Sequence, residues 1–264
     1  MVALDIDGTL HCAPEQDVLA HRAIGAATRA AVRAVGRSGA HVVLCTGRLS
    51  TATMPFLREL GLAAGFAVCS NGAVLIEAAG GRIVDQVQFD LFDTVTTLRD
   101  QLPGAVFVAE TPGVGVLATG WMDSSDMHHG KIELVTIDEL AAASTTRLGV
   151  HWPGRSGDEM ARLFSTLVLP GIRCCCYNDE PLADLTAAAV SKAAMLEKLR
   201  IALGIAKEET MAVGDGVNDV EMLHWAAHGV AMSGSPAASL ATVHEICPPA
   251  AEDGVAVVLS RWFG

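Results

Sequence analysis

Apolar residues fall along this chain in short runs, and most runs stop at a polar turn that contains glycine. The first, Met1 to Leu4, breaks at Asp5-Ile6-Asp7-Gly8, and in an extended strand two acids spaced this way share one face. After a loop at 14–19, Ile24, Ala27, Ala31, Val32 and Val35 recur at the spacing of an amphipathic helix. The almost wholly apolar run 41–45 reads as a strand buried on both faces, and it ends in Thr46-Gly47-Arg48. A helix over 50–60 and a strand over 66–70 follow, and the Asn71-Gly72 turn then opens a hairpin of 73–77 with 82–87. The repeating strand, helix, strand order predicts an α/β fold with a doubly wound parallel sheet.

From 88 to 184 the texture changes. A helix over 91–102 is followed by strands over 105–110, 113–118, 133–137 and 148–151, a helix over 158–167, and strands over 172–177 and 183–186. Strands with few interleaved helices predict an α+β module. At Lys192 the first pattern returns: Met195, Leu196, Leu199 and Leu203 at helical spacing, a buried-type strand over 210–213, and the acidic turn Gly214-Asp215-Gly216-Val217-Asn218-Asp219 leading into a helix over 220–227. A strand over 229–232 and a closing helix over 253–262 complete it. The core is therefore expected in two pieces, 1–87 and 185–264, with 88–184 inserted between them.

Composition narrows the partners. The 264 residues suffice for one large domain or two modest ones. Hydrophobic residues reach 51%, yet no run approaches the roughly 18 residues of a membrane span. The net charge of −12, with no basic block, argues against nucleic acid, because binding there depends on clustered Lys and Arg against phosphates. Asp5 and Asp7 arrive too early for a secretory leader, so a cytoplasmic setting is expected, although the short first strand leaves room for an upstream start. Three of the seven cysteines, Cys174 to Cys176, are consecutive, which suits an alternating strand better than a zinc site.

Ligands of doubly wound sheets gather at the carboxyl ends of strands, where Asp5, Asp7, Thr46 and Asn71 all fall. Two like charges near a buried strand end are costly unless a cation lies between them or their protonation states differ, and both remedies serve catalysis. Plainer readings exist for each residue. Thr46 is a fitting helix N-cap, Lys192 an ordinary surface lysine, Asp219 a helix N-terminal acid, and Arg48 and Asn71 turn residues. In the insert, Trp121, His128, His129 and Lys131 read either as a substrate-covering cluster or as a solvated loop, and the nearby Ser124, Ser125, Asp126 and Gly130 favour the loop.

Taken together, Asp5-Ile6-Asp7-Gly8-Thr9, Thr46-Gly47-Arg48, Lys192 and Gly214-Asp215-Gly216-Val217-Asn218-Asp219, in that order, resemble the four motifs of the haloacid dehalogenase (HAD) superfamily of phosphohydrolases. The long insert and the Ser70-Asn71-Gly72-Ala73 turn are similar to the Cof-like sugar-phosphate phosphatases with a large α/β cap of type C2. The resemblance implies an aspartyl-phosphate at Asp5, with Asp7 as general acid and base. It implies Mg2+ held by Asp5, the backbone carbonyl of Asp7, and Asp215, with Asp219 as a direct or supporting partner. It further implies phosphoryl contacts from Thr46, Gly47, Lys192 and Asn218, and substrate contacts from Arg48 and Asn71. The sequence departs from the family pattern at Ala193, where glycine often follows the lysine, and at Cys247-Pro248-Pro249, where asparagine is often found. The expected activity is hydrolysis of small phosphomonoesters, sugar phosphates among them. The rivals are a phosphomutase on the same scaffold and a phospho-accepting receiver domain, the latter disfavoured by the length of the insert.

Overall fold

The computed structural model of the chain describes residues 1–12, 24–122, 125–177, 180–241 and 243–264. The loop expected at 14–19 lies outside them. The first half of the core runs β1 (Val2–Leu4), α1 (Ala26–Arg37), β2 (Val42–Cys45), α2 (Ser50–Leu60), β3 (Phe66–Cys69), β4 (Val74–Glu77) and β5 (Ile83–Gln86). The insert holds β6 (Phe89–Asp90), α3 (Phe92–Gln101), β7 (Val106–Thr111), β8 (Gly115–Ala118), β9 (Lys131–Leu134), α4 (Ile137–Ala141), β10 (Ser144–Thr145), β11 (Leu148–His151), α5 (Gly157–Thr166), β12 (Ile172–Tyr177) and β13 (Leu182–Ala187). The chain closes with α6 (Lys192–Ala202), β14 (Met211–Gly214), α7 (Val220–Trp225), β15 (His228–Met232), α8 (Ala237–Leu240), β16 (Glu245–Cys247) and α9 (Gly254–Phe263).

The core strands form one eight-stranded sheet in the order β16-β15-β14-β1-β2-β3-β4-β5, parallel as far as β3 and antiparallel beyond it. Alternation decides its two faces. Val2, Leu4, Val42, Leu44, Met211 and Val213 join one apolar layer with α1, α2 and α9, while Ala3, Val43, Cys45 and Ala212 join the other with α6 and α7. Strands buried on both sides carry no polar pattern of their own, which is why they appear in the sequence as unbroken apolar runs. From β1 the chain winds outward to β2 and β3, whereas β14 lies on the opposite side of β1, so the strand order reverses between β1 and β14. A crevice opens at such a reversal, at the carboxyl ends of the strands.

The insert builds a six-stranded sheet, β12-β13-β11-β7-β8-β9, antiparallel except for β8 with β9, and a two-stranded ribbon of β6 with β10. One face packs Phe107, Ala109, Leu148, Ala183 and Leu185 against α3, α4 and α5. The other face turns Val108, Val116 and Ala118 onto Leu49 and Ala52 of the core. All three consecutive cysteines lie on β12, as alternation predicts.

Two expectations change. β13 continues to Ala187, so the insert's sheet runs past the expected boundary at 184. The strand expected at 133–137 is displaced to Lys131–Leu134, and Ile137 instead opens a helix. The reason is local: Thr136 accepts from the Glu139 amide while the Glu139 carboxylate accepts from the Thr136 amide, a capping box that fixes a helix start.

Candidate active site

β1 ends at Leu4, so both acids lie in the turn beyond it and the same-face rule for strands no longer governs them. The Asp5 amide still donates to the Val213 carbonyl at 3.0 Å, which keeps its side chain buried at the junction with β14. Gly8 then turns at φ 79°, and a Cβ on it would come within 2.1 Å of the Asp215 carboxylate. That close approach lets Thr9 donate to Asp215 Oδ1 at 2.7 Å, joining the first and last motifs. Asp7 is swung outward. Its carboxylate is half exposed and is held by both arms of Arg48, at 2.7 Å from Nε and 2.5 Å from Nη2.

Lys192 is not on the surface. It opens α6 behind the N-cap Ser191 and is 1% exposed, with Nζ donating to Asp5 Oδ1 at 2.7 Å and to Asp219 Oδ1 at 2.6 Å. Asp219, also buried, accepts the Asp215 and Gly216 amides on Oδ2 at 3.0 and 2.9 Å, so it ties down its own loop as well as the lysine.

Carboxylate oxygens of Asp5, Asp215 and Asp219 all lie within 4.8 Å of one another. Three carboxylates against one ammonium leave negative charge uncompensated in a buried place. The acidities show the strain: burial first, and Asp219 second, push the Asp5 carboxyl well above its ordinary range. Burial and then Asp219 likewise raise Asp215 to about 6. For Lys192 burial works against the charge, but Asp219 and Asp5 outweigh it and the ammonium is held above its usual range. An all-oxygen donor set with excess negative charge fits a hard divalent cation such as Mg2+, and the three carboxylates are the residues present to hold one. Asp219 is the most occupied of the three, since both of its oxygens already accept hydrogen bonds.

Thr46 does not cap α2, whose N-cap is Leu49. Its buried hydroxyl oxygen instead accepts from the Arg48 amide at 3.1 Å. Gly47 lies under a convergence of polar groups, and a Cβ there would meet Asn71 Oδ1 at 3.1 Å, the Tyr177 hydroxyl at 3.4 Å and Asn218 Nδ2 at 3.5 Å. Asn218 donates to Asn71 Oδ1 at 2.9 Å, and Asn71 sits in left-handed backbone at φ 56°. All of the sequence-predicted residues therefore meet at one end of the sheet, with Asp7 toward solvent and Arg48 laid over the Phe56 ring beneath it.

Sequence reasoning missed what the insert contributes. Asp184 Oδ2 accepts from Asn71 Nδ2 at 3.0 Å, the Tyr177 hydroxyl at 2.8 Å and Arg147 Nη1 at 3.2 Å. Burial, and then Asp184, hold the Tyr177 phenol well above its ordinary range. Glu110, buried, accepts from the Ser50 amide and hydroxyl, each at 3.2 Å, from the Ser70 hydroxyl at 2.5 Å and from the Thr146 hydroxyl at 2.7 Å. One signal was available. Glu110 follows Val106 and Val108 at strand period, and Asp184 follows Leu182, so each acid stands where an apolar residue belongs on a covered face. Between the insert and the core loops lies a cavity of about 370 Å³, walled by Asn71, Asp184, Lys192, Asn218, Arg173 and Cys175. Trp121, His128 and Lys131 do not line it; Trp121 is 59% exposed and Lys131 pairs with Glu133.

The haloacid dehalogenase-like hydrolase family matches residues 2–108 and 158–259, and the chain belongs to that family. It is accordingly an enzyme of hydrolase type. A protein named "Putative phosphatase YxeH", from Bacillus subtilis (strain 168), is 24% identical over 88% of this chain and 87% of its own length. The 5-amino-6-(5-phospho-D-ribitylamino)uracil phosphatase YcsE of the same organism is 37% identical over 30% of this chain and 32% of its own. Among solved structures, the HAD subclass IIB sugar phosphatase BT4131 superposes with a TM-score of 0.80 at 22% identity, over 99% of this chain and 98% of that one. A haloacid dehalogenase-like hydrolase from Bacteroides thetaiotaomicron gives 0.81 at 21% identity over the same shares. These likenesses establish the doubly wound core with its inserted second sheet as the fold of the chain. No helix among the described residues is long and apolar enough to cross a membrane.

Proposed function

We propose that this hydrolase is a magnesium-dependent phosphatase of small phosphorylated metabolites, sugar phosphates in particular, working through an aspartyl-phosphate at Asp5. One observation carries the reading: the buried Asp5 and Asp219, both bonded to Lys192, and the half-buried Asp215 gather at the strand reversal, where a phosphate ester and a cation have complementary places. The eight-stranded sheet carries the catalytic core and the six-stranded sheet the cap. The cytoplasm is the setting, a reducing compartment that suits the buried thiols of Cys45, Cys69 and Cys247.

Asp5 has one oxygen held by Lys192, and its other oxygen attacks phosphorus. The ester oxygen departs with a proton from Asp7, which leaves the fork of Arg48 to reach it. Water then attacks the Asp5 acyl phosphate at phosphorus, Asp7 takes the proton from that water, and the bond between phosphorus and the Asp5 carboxylate oxygen breaks to release phosphate and the free carboxylate. Thr46 already accepts from the Arg48 amide, so its own hydroxyl proton is directed elsewhere, toward a phosphoryl oxygen, alongside the Gly47 amide, the Lys192 ammonium and Asn218. Asp5, Asp215 and the Asp7 carbonyl, with Asp219 behind them, would hold Mg2+, which would supply positive charge to the phosphoryl oxygens. Arg48 and Asn71 contact the rest of the substrate.

The test is phosphate release from p-nitrophenyl phosphate and a panel of sugar phosphates, with Mg2+ and with chelator, for the parent, Asp5→Asn and Asp7→Ala. Expected is metal-dependent release that falls by at least about a thousandfold in both variants. Substantial turnover by Asp5→Asn would sink the covalent mechanism, and release undiminished by chelator would sink the metal.

A further inference from the structure

Arg147 lies just before β11 in the insert, outside both segments that match the family, and its side chain is 7% exposed. A guanidinium taken so far from water is costly unless its partners are well placed. Its Nη1 has two partners from different sheets: the Gly47 carbonyl of the core at 2.6 Å and Asp184 Oδ2 of the insert at 3.2 Å. The Gly47 carbonyl belongs to the same peptide unit as the Arg48 amide, which donates to the Thr46 hydroxyl. That peptide is gripped at both ends, by Thr46 from within the turn and by Arg147 from across the interface. The same Asp184 oxygen accepts from Asn71, and Asn71 accepts from Asn218. Hydrogen bonds thus run unbroken from the turn after β2, through the insert, to the turn after β14.

We propose that Arg147, with Asp184 as its counter-ion, is a positioning residue for the reaction: it sets the Thr46-Gly47-Arg48 turn and its spacing from Asn218. The inference rests on the phosphatase reading and adds to it that the insert shapes the phosphoryl site itself. Arginine suits the task because a single planar Nη1 carries two N–H donors, one for the Gly47 carbonyl and one for Asp184, on a longer and stiffer arm than the ammonium of lysine. Misplacing reacting groups by about 1 Å costs on the order of a hundredfold in rate. The loss belongs in kcat, because the turn meets the phosphoryl group most strongly in the transition state.

The experiment is steady-state kinetics on p-nitrophenyl phosphate, whose small leaving group asks little of the cavity, together with inhibition by orthovanadate. Parent, Arg147→Met, Arg147→Lys and Asp184→Asn are compared, with thermal unfolding of each. Expected for Arg147→Met is a fall in kcat of about 10- to 100-fold with KM within about threefold. Vanadate inhibition should weaken by a similar factor, unfolding should remain cooperative, and Arg147→Lys should recover part of the loss. If Arg147→Met does not fold, Arg147→Lys and Asp184→Asn carry the same comparison. Folded variants with parental kcat, or a rise confined to KM, overturn the proposal while the phosphatase stands. A parent that releases no phosphate from any ester overturns the phosphatase reading and this proposal with it.

Discussion

Asp5 and Asp7 are two residues apart and inhabit different environments, one buried against Lys192 and the other half exposed in the fork of Arg48. That both would lie at the carboxyl end of the sheet was legible, because acids at strand ends before glycine are costly without a purpose. Their division was not, since it depends on where β1 stops and on a partner from a distant turn. Lys192 was legible only through its place in the order of motifs; its burial comes from Asp5 and Asp219, which no local pattern reveals. The acidity of Asp215 makes a prediction at this scale. A carboxyl raised to about 6 in the folded chain favours folding only while it is protonated. Its contribution is fully present below the ordinary aspartate range and is lost as pH rises through about 6. Without metal, stability should therefore fall between about pH 4 and pH 6.5, by on the order of 2–3 kcal/mol from this group. Mg2+ should restore it most strongly above pH 6. Urea midpoints at pH 5 and pH 7.5, with and without Mg2+, check this, and a stability that rises with pH in chelator would contradict it.

Among the elements, the buried strands of the core were the most legible, because β1, β2 and β14 need apolar residues on both faces and so form runs. α4 was missed although its capping box, Thr136 with Glu139, stood in the sequence: Val135 and Ile137 alternate as they would in a strand, and that signal masked the cap. The turn after β1 shows what one backbone position carries. At Gly8 an alanine meets both an unfavourable φ and the Asp215 carboxylate. Gly8→Ala should cost about 2–4 kcal/mol of stability, and by displacing Asp215 it should weaken Mg2+ binding as well. Unfolding together with magnesium titration of turnover checks both, and a variant that loses neither would show that the turn relaxes freely.

At the scale of the molecule, two acids of the insert, Glu110 and Asp184, hold consecutive residues of one core turn, Ser70 and Asn71, both in left-handed backbone. Strand alternation placed the acids on a covered face, but only the docking of one sheet on the other decides what they meet, and residues this far apart in the chain leave no short-range trace. Glu110→Ala strips the partner from donors on Ser50, Ser70 and Thr146, and is expected to destabilise by about 3–5 kcal/mol. Glu110→Gln, which keeps the shape and one good acceptor, should lose less than half of that. Denaturant unfolding of the pair distinguishes them, and equal losses would mean that volume, not the acceptor oxygens, holds the interface.

The place of β1 bears on how the molecule comes into being. It is synthesised before the other strands of its sheet, yet it lies inside that sheet, with β2 on one edge and β14 on the other. Val2 faces Met211 across that second edge, so the edge stays open until most of the chain has emerged. A nascent chain must keep an apolar strand with an unpaired edge out of trouble for all that time, and contacts between such remote partners close slowly. The acidic cluster shares this schedule, because Asp5 waits for Lys192 and Asp215 to arrive. Fragments cut short before β14 should be both inert and prone to aggregate, so activity begins only when folding is nearly finished.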